Sequence, residues 1–363
     1  MTGETDRFPK LSRRNLLAAL GAGAFSAPFF VASRGSAAGP FADFPSGLPD
    51  SAICRTAATG EVTGPLQKVS FAWNAGATCL LGVTTAKEKG FFEKHGLDVD
   101  LVNFSGSTDQ LLETIATGKA DAAVGMALRW LKPLESGFDV KIVGSTHGGC
   151  LRLLAPASSG IKKLEDLKGK TIAVSDMNSP SKNFFSVRFK KAGLDPEKDV
   201  DFRPFPLPLL RTAVEKGEAQ ALAENDPMPF LWLKDGQFTE ISSNITGEYA
   251  NRVCCILGVR GSTLRQNKAV ATGIVRALVE ASDYAHHNPV EAALTYTPYA
   301  AGKVTADDLT ALAKYHTHGH HPDGAALKKE LALYAEELKL VNVLKPSTNV
   351  ERYVDRIYAD VVS

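Results

Sequence analysis

The stretch ADAAVGMALRWLKPLESGFDVKIVGS, residues 120–145, decides the fold. Ala120 to Gly125 is a short apolar run that reads as a buried strand, Leu128 to Glu135 as a helix, and Val140 to Ser145 as a second strand. The same alternation extends in both directions. Upstream, Lys68 to Trp73 predicts a first strand, followed by a loop carrying Asn74, Gly76 and Thr78 and then a helix from Leu80 to Lys89 that Gly90 stops. Asp98 to Phe104 alternates apolar and polar residues as a strand. Ser105-Gly106-Ser107-Thr108 then puts hydroxyls at the start of a helix whose apolar positions are Leu111, Leu112, Ile115 and Ala116. Strands and helices alternating at this spacing argue for a mainly parallel sheet covered on both faces.

Downstream the pattern restarts. Leu151 to Ala155, Thr171 to Val174, Val200 to Phe205 and Ala219 to Ala223 read as strands, and Asp176-Met177-Asn178-Ser179-Pro180 opens a helix that runs to about Lys191. Arg252 to Val259 is strand-like and is expected to carry the chain back to the first lobe; residues 268–363 are mostly helical. The expected organisation is an irregular lead-in over 39–66, a first lobe beginning over 67–152, a second lobe over 153–253, and a return with C-terminal helices over 254–363. A chain of 363 residues with 44% hydrophobic content is long enough for two such α/β lobes. Net charge is +1 with 22% charged residues, so no large basic surface is available for nucleic acid or anionic lipid.

Residues 1–38 are set apart from the fold. Ser12-Arg13-Arg14-Asn15-Leu16-Leu17 places paired arginines ahead of an uncharged run rich in Ala and Gly, and Ser36-Ala37-Ala38 offers the small residues a signal peptidase needs. That arrangement resembles a twin-arginine export signal and implies a periplasmic chain cleaved after Ala38. Cys54, Cys79, Cys150, Cys254 and Cys255 follow it. An odd count in an oxidising compartment leaves at least one cysteine unpaired or bound to something, and adjacent Cys254 and Cys255 are poorly shaped to bridge each other.

Four segments carry a family resemblance in order: Lys87 to Val99 (KEKGFFEKHGLDV), Gly118 to Ala122 (GKADA), Leu164 to Val174 (LEDLKGKTIAV), and Gly217 to Ala221 (GEAQA) leading to Asp226-Pro227. Together they resemble the ABC-transporter periplasmic substrate-binding proteins of the nitrate/sulfonate/taurine, NMT1-like family. The resemblance implies the type II periplasmic-binding-protein fold: two doubly wound α/β lobes joined by a hinge, with the ligand in the cleft and an ABC permease as partner. It implies a monomer that is not an enzyme and calls for no cofactor.

In open α/β sheets ligands sit beyond the carboxyl ends of strands, so the loops that follow strands supply the candidate ligand-binding residues. In the first lobe these are Trp73, Asn74, Cys79, Ser105, Ser107, Thr108, Met126, His147 and Cys150. In the second they are Met177, Asn178, Ser181, Glu224 and Asp226. Ser107 and Thr108 double as helix caps and Trp73 as core; an acidic residue before proline, as at Asp226, is a habit of the family. The set is unusual for an oxyanion receptor because Cys79, Met126, His147, Cys150, Met177 and Cys254 are soft donors, suited to a metal, a metal chelate or a thiol ligand. His316, His318, His320 and His321 form a further candidate metal cluster between C-terminal helices. Two rival readings stand beside delivery of a small molecule of the nitrate/sulfonate/taurine class. One is a receptor for a metal or metal chelate. The other is an enzyme on the same fold, similar to those that make the thiamine pyrimidine, of whose cysteine-rich motif Cys254-Cys255 is only a fragment.

Overall fold

The computed structural model describes residues 64–104, 108–300 and 304–363, without the side chains of residues 108 and 109. The export signal and Cys54 therefore lie outside the described residues, as do Ser105, Ser107 and the Thr108 side chain.

Ten strands make two five-stranded sheets. The first contains β1 (Gln67–Trp73), β2 (Leu97–Asn103), β3 (Ala122–Met126), β4 (Val140–His147) and β10 (Cys255–Arg260), in the order β2-β1-β3-β10-β4. The second contains β5 (Leu151–Pro156), β6 (Thr171–Val174), β7 (Asp201–Pro204), β8 (Ala221–Asn225) and β9 (Phe238–Ser243), in the order β7-β6-β8-β5-β9. The two orders are the same pattern. In each, parallel strands are interrupted by one antiparallel strand in the fourth place, β10 against β3 and β4, and β5 against β8 and β9. That strand is in each case supplied by the chain as it arrives from the other lobe. The molecule is thus two doubly wound α/β lobes connected twice, through residues 148–150 and 244–254. The first connection falls slightly ahead of the expected 152/153 boundary, because Leu151 and Arg152 already pair with Asn225 and Glu224.

Residues 120–145 form the centre of the first lobe. Every residue of β3 is buried, and the helix Ala127–Glu135 follows it directly. Trp130 of that helix lies across the sheet over Gly125: a Cβ there would sit 2.2 Å from the indole ring, so only glycine admits the contact. The helix Lys268–His287 follows the expected period, burying Val270, Ile274, Leu278 and Ala281. Trp73 also belongs to this core. It is buried and meets Tyr296 and Tyr299 edge-on at ring distances of 6.1 and 5.2 Å. No helix among the described residues is long and apolar enough to cross a membrane.

Candidate functional site

Strand direction brings the site together. β1, β3 and β4 run parallel and end at one edge of the first sheet, and antiparallel β10 begins at that edge. Cys255 is consequently registered with Met126 on one side and His147 on the other. The Cys254 N–H donates to the His147 carbonyl at 2.9 Å and the Ala127 N–H to the Cys254 carbonyl at 2.9 Å, which locks the three strand ends together. Cys79 reaches the same place from the 3-10 turn Thr78–Leu80 after β1, and Cys150 from the connection into β5.

The result is a cluster of four buried thiols, in which Cys150 and Cys254 stand 3.5 Å apart, sulfur to sulfur. All four are free thiols. Hydrogen bonds from Cys150 and Cys255 hold Cys79 well below its ordinary value and do the same for Cys254, while Cys150 and Cys255 are pushed up as the donors to them. The ligand atoms of Cys79, His147 and Cys255 all lie within 4.8 Å of one another.

Three imidazoles complete the cluster. His147 stacks 6.3 Å from His316 and lies 5.8 Å from His318, centroid to centroid, and all three are buried. The His147 Nδ1–H donates to the Gly148 carbonyl at 2.5 Å, which leaves Nε2 as the lone-pair nitrogen. The His316 Nε2–H donates to Asp226 Oδ2 at 3.0 Å, which leaves Nδ1. Neither remaining nitrogen, nor His318 Nε2, has a hydrogen-bond partner among the described residues. Burial drives the His318 imidazole well below its usual value, with nearby His147 and His316 adding to the effect. The loop that carries His316 and His318 comes this close because residue 148 is glycine: a Cβ there would stand 1.8 Å from Thr317 Oγ1. The four-histidine cluster expected from the sequence divides. His320 instead pairs with Glu330 at 3.0 Å and His321 with Asp283 at 2.9 Å.

The second lobe closes the site from the other side. Asp226, at the end of β8, accepts from Arg152 Nε at 2.9 and 3.1 Å, from His316, and from the Phe230 N–H at 3.1 Å. The Asp226 N–H donates to the Cys150 carbonyl at 2.9 Å. The carboxylate expected to meet a ligand amine is therefore engaged by the protein's own donors. Arg152 and Arg129 went unnoticed in the sequence reading, although a signal was present. Each interrupts an apolar run, Leu151-Arg152-Leu153-Leu154 and Leu128-Arg129-Trp130-Leu131, and a charge in such a place needs a partner. Arg129 finds one across the lobes, donating to Asp176 Oδ1 at 2.5 Å, and Asn183 of the second lobe donates to the Leu128 carbonyl at 3.0 Å.

Between the lobes lies a cavity of about 50 Å³ walled by Asn74, Cys79, Met126, Cys255 and, from the second lobe, Asn225. That is room for a few water-sized groups. Of the remaining candidates, Ser181 is buried with its hydroxyl unpartnered among the described residues, and Glu224 is buried with its carboxyl pushed up by desolvation. Met177 and Asn178 are exposed, and Trp73 is in the core; none of the three lines the cavity. Met177 fails as a soft donor because its loop turns outward, with the Asn178 N–H bonded to the Asp176 side chain at 2.8 Å.

Comparison with known proteins agrees with this architecture. The family model described as NMT1/THI5 like matches residues 78–292, more than half of the chain. The nitrate import ATP-binding protein NrtC of Synechocystis sp. (strain ATCC 27184 / PCC 6803 / Kazusa) is 27% identical over 222 residues, 56% of this chain and 32% of that protein, so the chain spans about a third of the length of this curated relative. Among solved structures, the periplasmic aliphatic sulphonate binding protein SsuA from Escherichia coli is 20% identical, with a TM-score of 0.67 over 81% of this chain and 92% of that one. The periplasmic nitrate-binding protein NrtA from Synechocystis PCC 6803 is 16% identical, with a TM-score of 0.67 over 81% and 86%. At such identities the structural likeness is one of fold. With the family model reaching from the first lobe through the second and back, over Cys79, His147, Cys150, Cys254 and Cys255, the chain belongs to the NMT1/THI5-like family, on the two-lobed fold of the periplasmic binding proteins.

Proposed function

We propose that the chain is an exported, monomeric solute-binding receptor that captures a small ligand between its lobes and delivers it to an ABC permease, and that it is not an enzyme. The observation that carries this reading is the clasped cleft: a small cavity walled from both lobes, with Arg129–Asp176 and Asn183–Leu128 bridging directly across. Two connections between lobes form a hinge, and closure around a ligand creates a surface that a permease distinguishes from the open form. SsuA and NrtA are described as sulphonate and nitrate binders. A cargo of that oxyanion class is less well served here, because the cavity wall offers amides, thiols and a thioether rather than the cations that grip oxyanions. The delivery role, and not the cargo, is what the reading takes from these relatives.

Small-angle scattering with thermal melting tests it. Anions, sulfonates, amines and metal ions are screened against the processed chain, and a true ligand both reduces the radius of gyration and raises the melting temperature by preferential binding to the native state. A screen in which every stabilising compound leaves the radius unchanged refutes the receptor reading. Export has its own test: Arg13→Lys with Arg14→Lys traps precursor in the cytoplasm, and normal processing of that variant refutes the twin-arginine route.

A further inference from the structure

The thiol and imidazole cluster has a chemistry that the receptor reading does not assign. Its donors are four thiols and three ring nitrogens, all buried, drawn from six separated places in the sequence: Cys79, His147, Cys150, Cys254-Cys255, His316 and His318. Buried polar atoms are ordinarily paired, and an unpaired one is destabilising. Here three ring nitrogens, on imidazoles whose centroids lie 5.8 to 6.3 Å apart, share that condition among the described residues.

The outer contacts fit the same conclusion. A metal-ligating histidine characteristically gives its other N–H to a backbone carbonyl or a carboxylate, fixing the tautomer and the ring. His147 does so with the Gly148 carbonyl, and His316 with Asp226, which Arg152 in turn orients. At metal–sulfur distances of about 2.3 Å and metal–nitrogen distances of about 2.0–2.1 Å, ligand atoms around one tetrahedral ion stand roughly 3.5–4 Å apart. The three atoms of Cys79, His147 and Cys255, within 4.8 Å of one another, need to draw together by about 1.3 Å at most. Two sulfurs and one nitrogen, without a carboxylate among them, disfavour magnesium, calcium and manganese and favour an ion that bonds well to thiolate.

We propose that Cys79, His147 and Cys255 bind one thiophilic metal ion with a filled d shell, Zn²⁺ or Cu⁺, with Cys150, Cys254 and the His316–His318 loop as the adjoining donors. This names the cargo class for the cleft and rests on the receptor reading only for the ion's being delivered rather than retained.

The test uses the full processed chain, reduced and stripped of metal. Zn²⁺ and, under anaerobic conditions, Cu⁺ are titrated against chelators of known affinity, and Co²⁺ serves as a spectroscopic stand-in for zinc. The expected result is one ion per chain for at least one of Zn²⁺ and Cu⁺, with a thiolate-to-cobalt charge-transfer band. Cys79→Ser and Cys255→Ser each weaken binding at least about 100-fold, the upper end of what even an outer-contact change costs, and each diminishes that band. Circular dichroism confirms that these variants are folded. His147→Gln, which keeps both sulfurs, weakens binding while retaining the band, and Met177→Ala changes neither. The relative affinities distinguish Zn²⁺ from Cu⁺. Wild-type chain that yields both ions to the chelators and gives no charge-transfer band overturns the proposal, as does a Cys79–Cys255 disulfide in the chain as isolated; the receptor reading survives either result. Binding at the expected stoichiometry without any change in the scattering radius upholds the metal site and removes delivery.

Discussion

Replacing Asp226 by asparagine tests whether the buried charge network holds the two lobes and the histidine loop in place. Asp226 and Arg152 are 0% and 2% exposed, and the carboxylate accepts from Arg152, His316 and the Phe230 N–H. Removing one partner of such a pair leaves an uncompensated charge and costs about 3–5 kcal/mol. Glu240, which also binds Arg152 and is partly exposed, keeps the guanidinium from being wholly unpaired, so the lower end applies, about 3 kcal/mol. At roughly 2–4 °C per kcal/mol for a chain of this order, the melting temperature falls by roughly 6–12 °C. Denaturant unfolding of Asp226→Asn, of Arg152→Met and of the double variant Asp226→Leu/Arg152→Met gives the answer. The double variant is expected to recover most of the loss, because both charges leave together and apolar groups of similar size replace them. A single variant that costs less than about 1 kcal/mol, or a double variant that costs the sum of the singles, refutes the reasoning.

Three further predictions follow from particular contacts. Gly148→Ala places a Cβ against Thr317 Oγ1 and is expected to cost about 1–3 kcal/mol, with Thr317→Ala restoring part of it; equal melting temperatures for wild type and Gly148→Ala would contradict the close approach. Glu337 is pushed up by burial, but hydrogen bonds from Arg252 and Lys191 outweigh that and hold it below its ordinary value. A depressed folded-state value contributes stability that is present above the unfolded value and lost as pH falls through the folded one, so Glu337→Gln should flatten the acid limb below about pH 4.3; identical acid limbs would show that the network does not titrate on folding. Asp176→Asn removes the ion pair with Arg129, whose acidic side is well exposed, so stability changes by less than about 1 kcal/mol while ligand affinity falls by up to about fivefold as the open form gains population. An unchanged affinity in calorimetry would show that the bridge does not bias closure.

The strands and helices that pack both faces were legible because their residues carry the pattern themselves: Ala122 to Met126 is apolar throughout, and Gly90 and Gly118 adopt the left-handed turns expected of helix stops. β9 was not, since Phe238-Thr239-Glu240-Ile241-Ser242-Ser243 lies at the edge of its sheet, half-buried and largely polar, and such a strand is specified by its neighbour β5 more than by its own composition. The antiparallel entry of β10 was equally invisible, yet it puts Cys255 between Met126 and His147. Cys79, Cys150, Cys254 and His147 were identifiable as soft donors near one cleft; Cys255 was not, because its place follows from the register of β10 and not from its position in the sequence. That His316 and His318 join them while His320 and His321 turn to Glu330 and Asp283 depends on pairings across the chain that no local spacing encodes.

The exchange of fourth strands has a consequence for the order in which the polypeptide matures. All five strands of the second sheet lie in one continuous segment, β5 to β9, so that lobe has its whole sheet once residue 243 has left the ribosome. The first sheet waits: β3 and β4 present unpaired inner edges until β10 slides between them, and an exposed edge of this kind invites pairing with another chain. Cys79, His147 and Cys150 are synthesised early but acquire Cys255 only at that insertion, and His316 and His318 later still. A nascent chain stalled between residues 243 and 255 would thus carry a finished second lobe beside an aggregation-prone half, with three reactive side chains and nothing yet to assemble around.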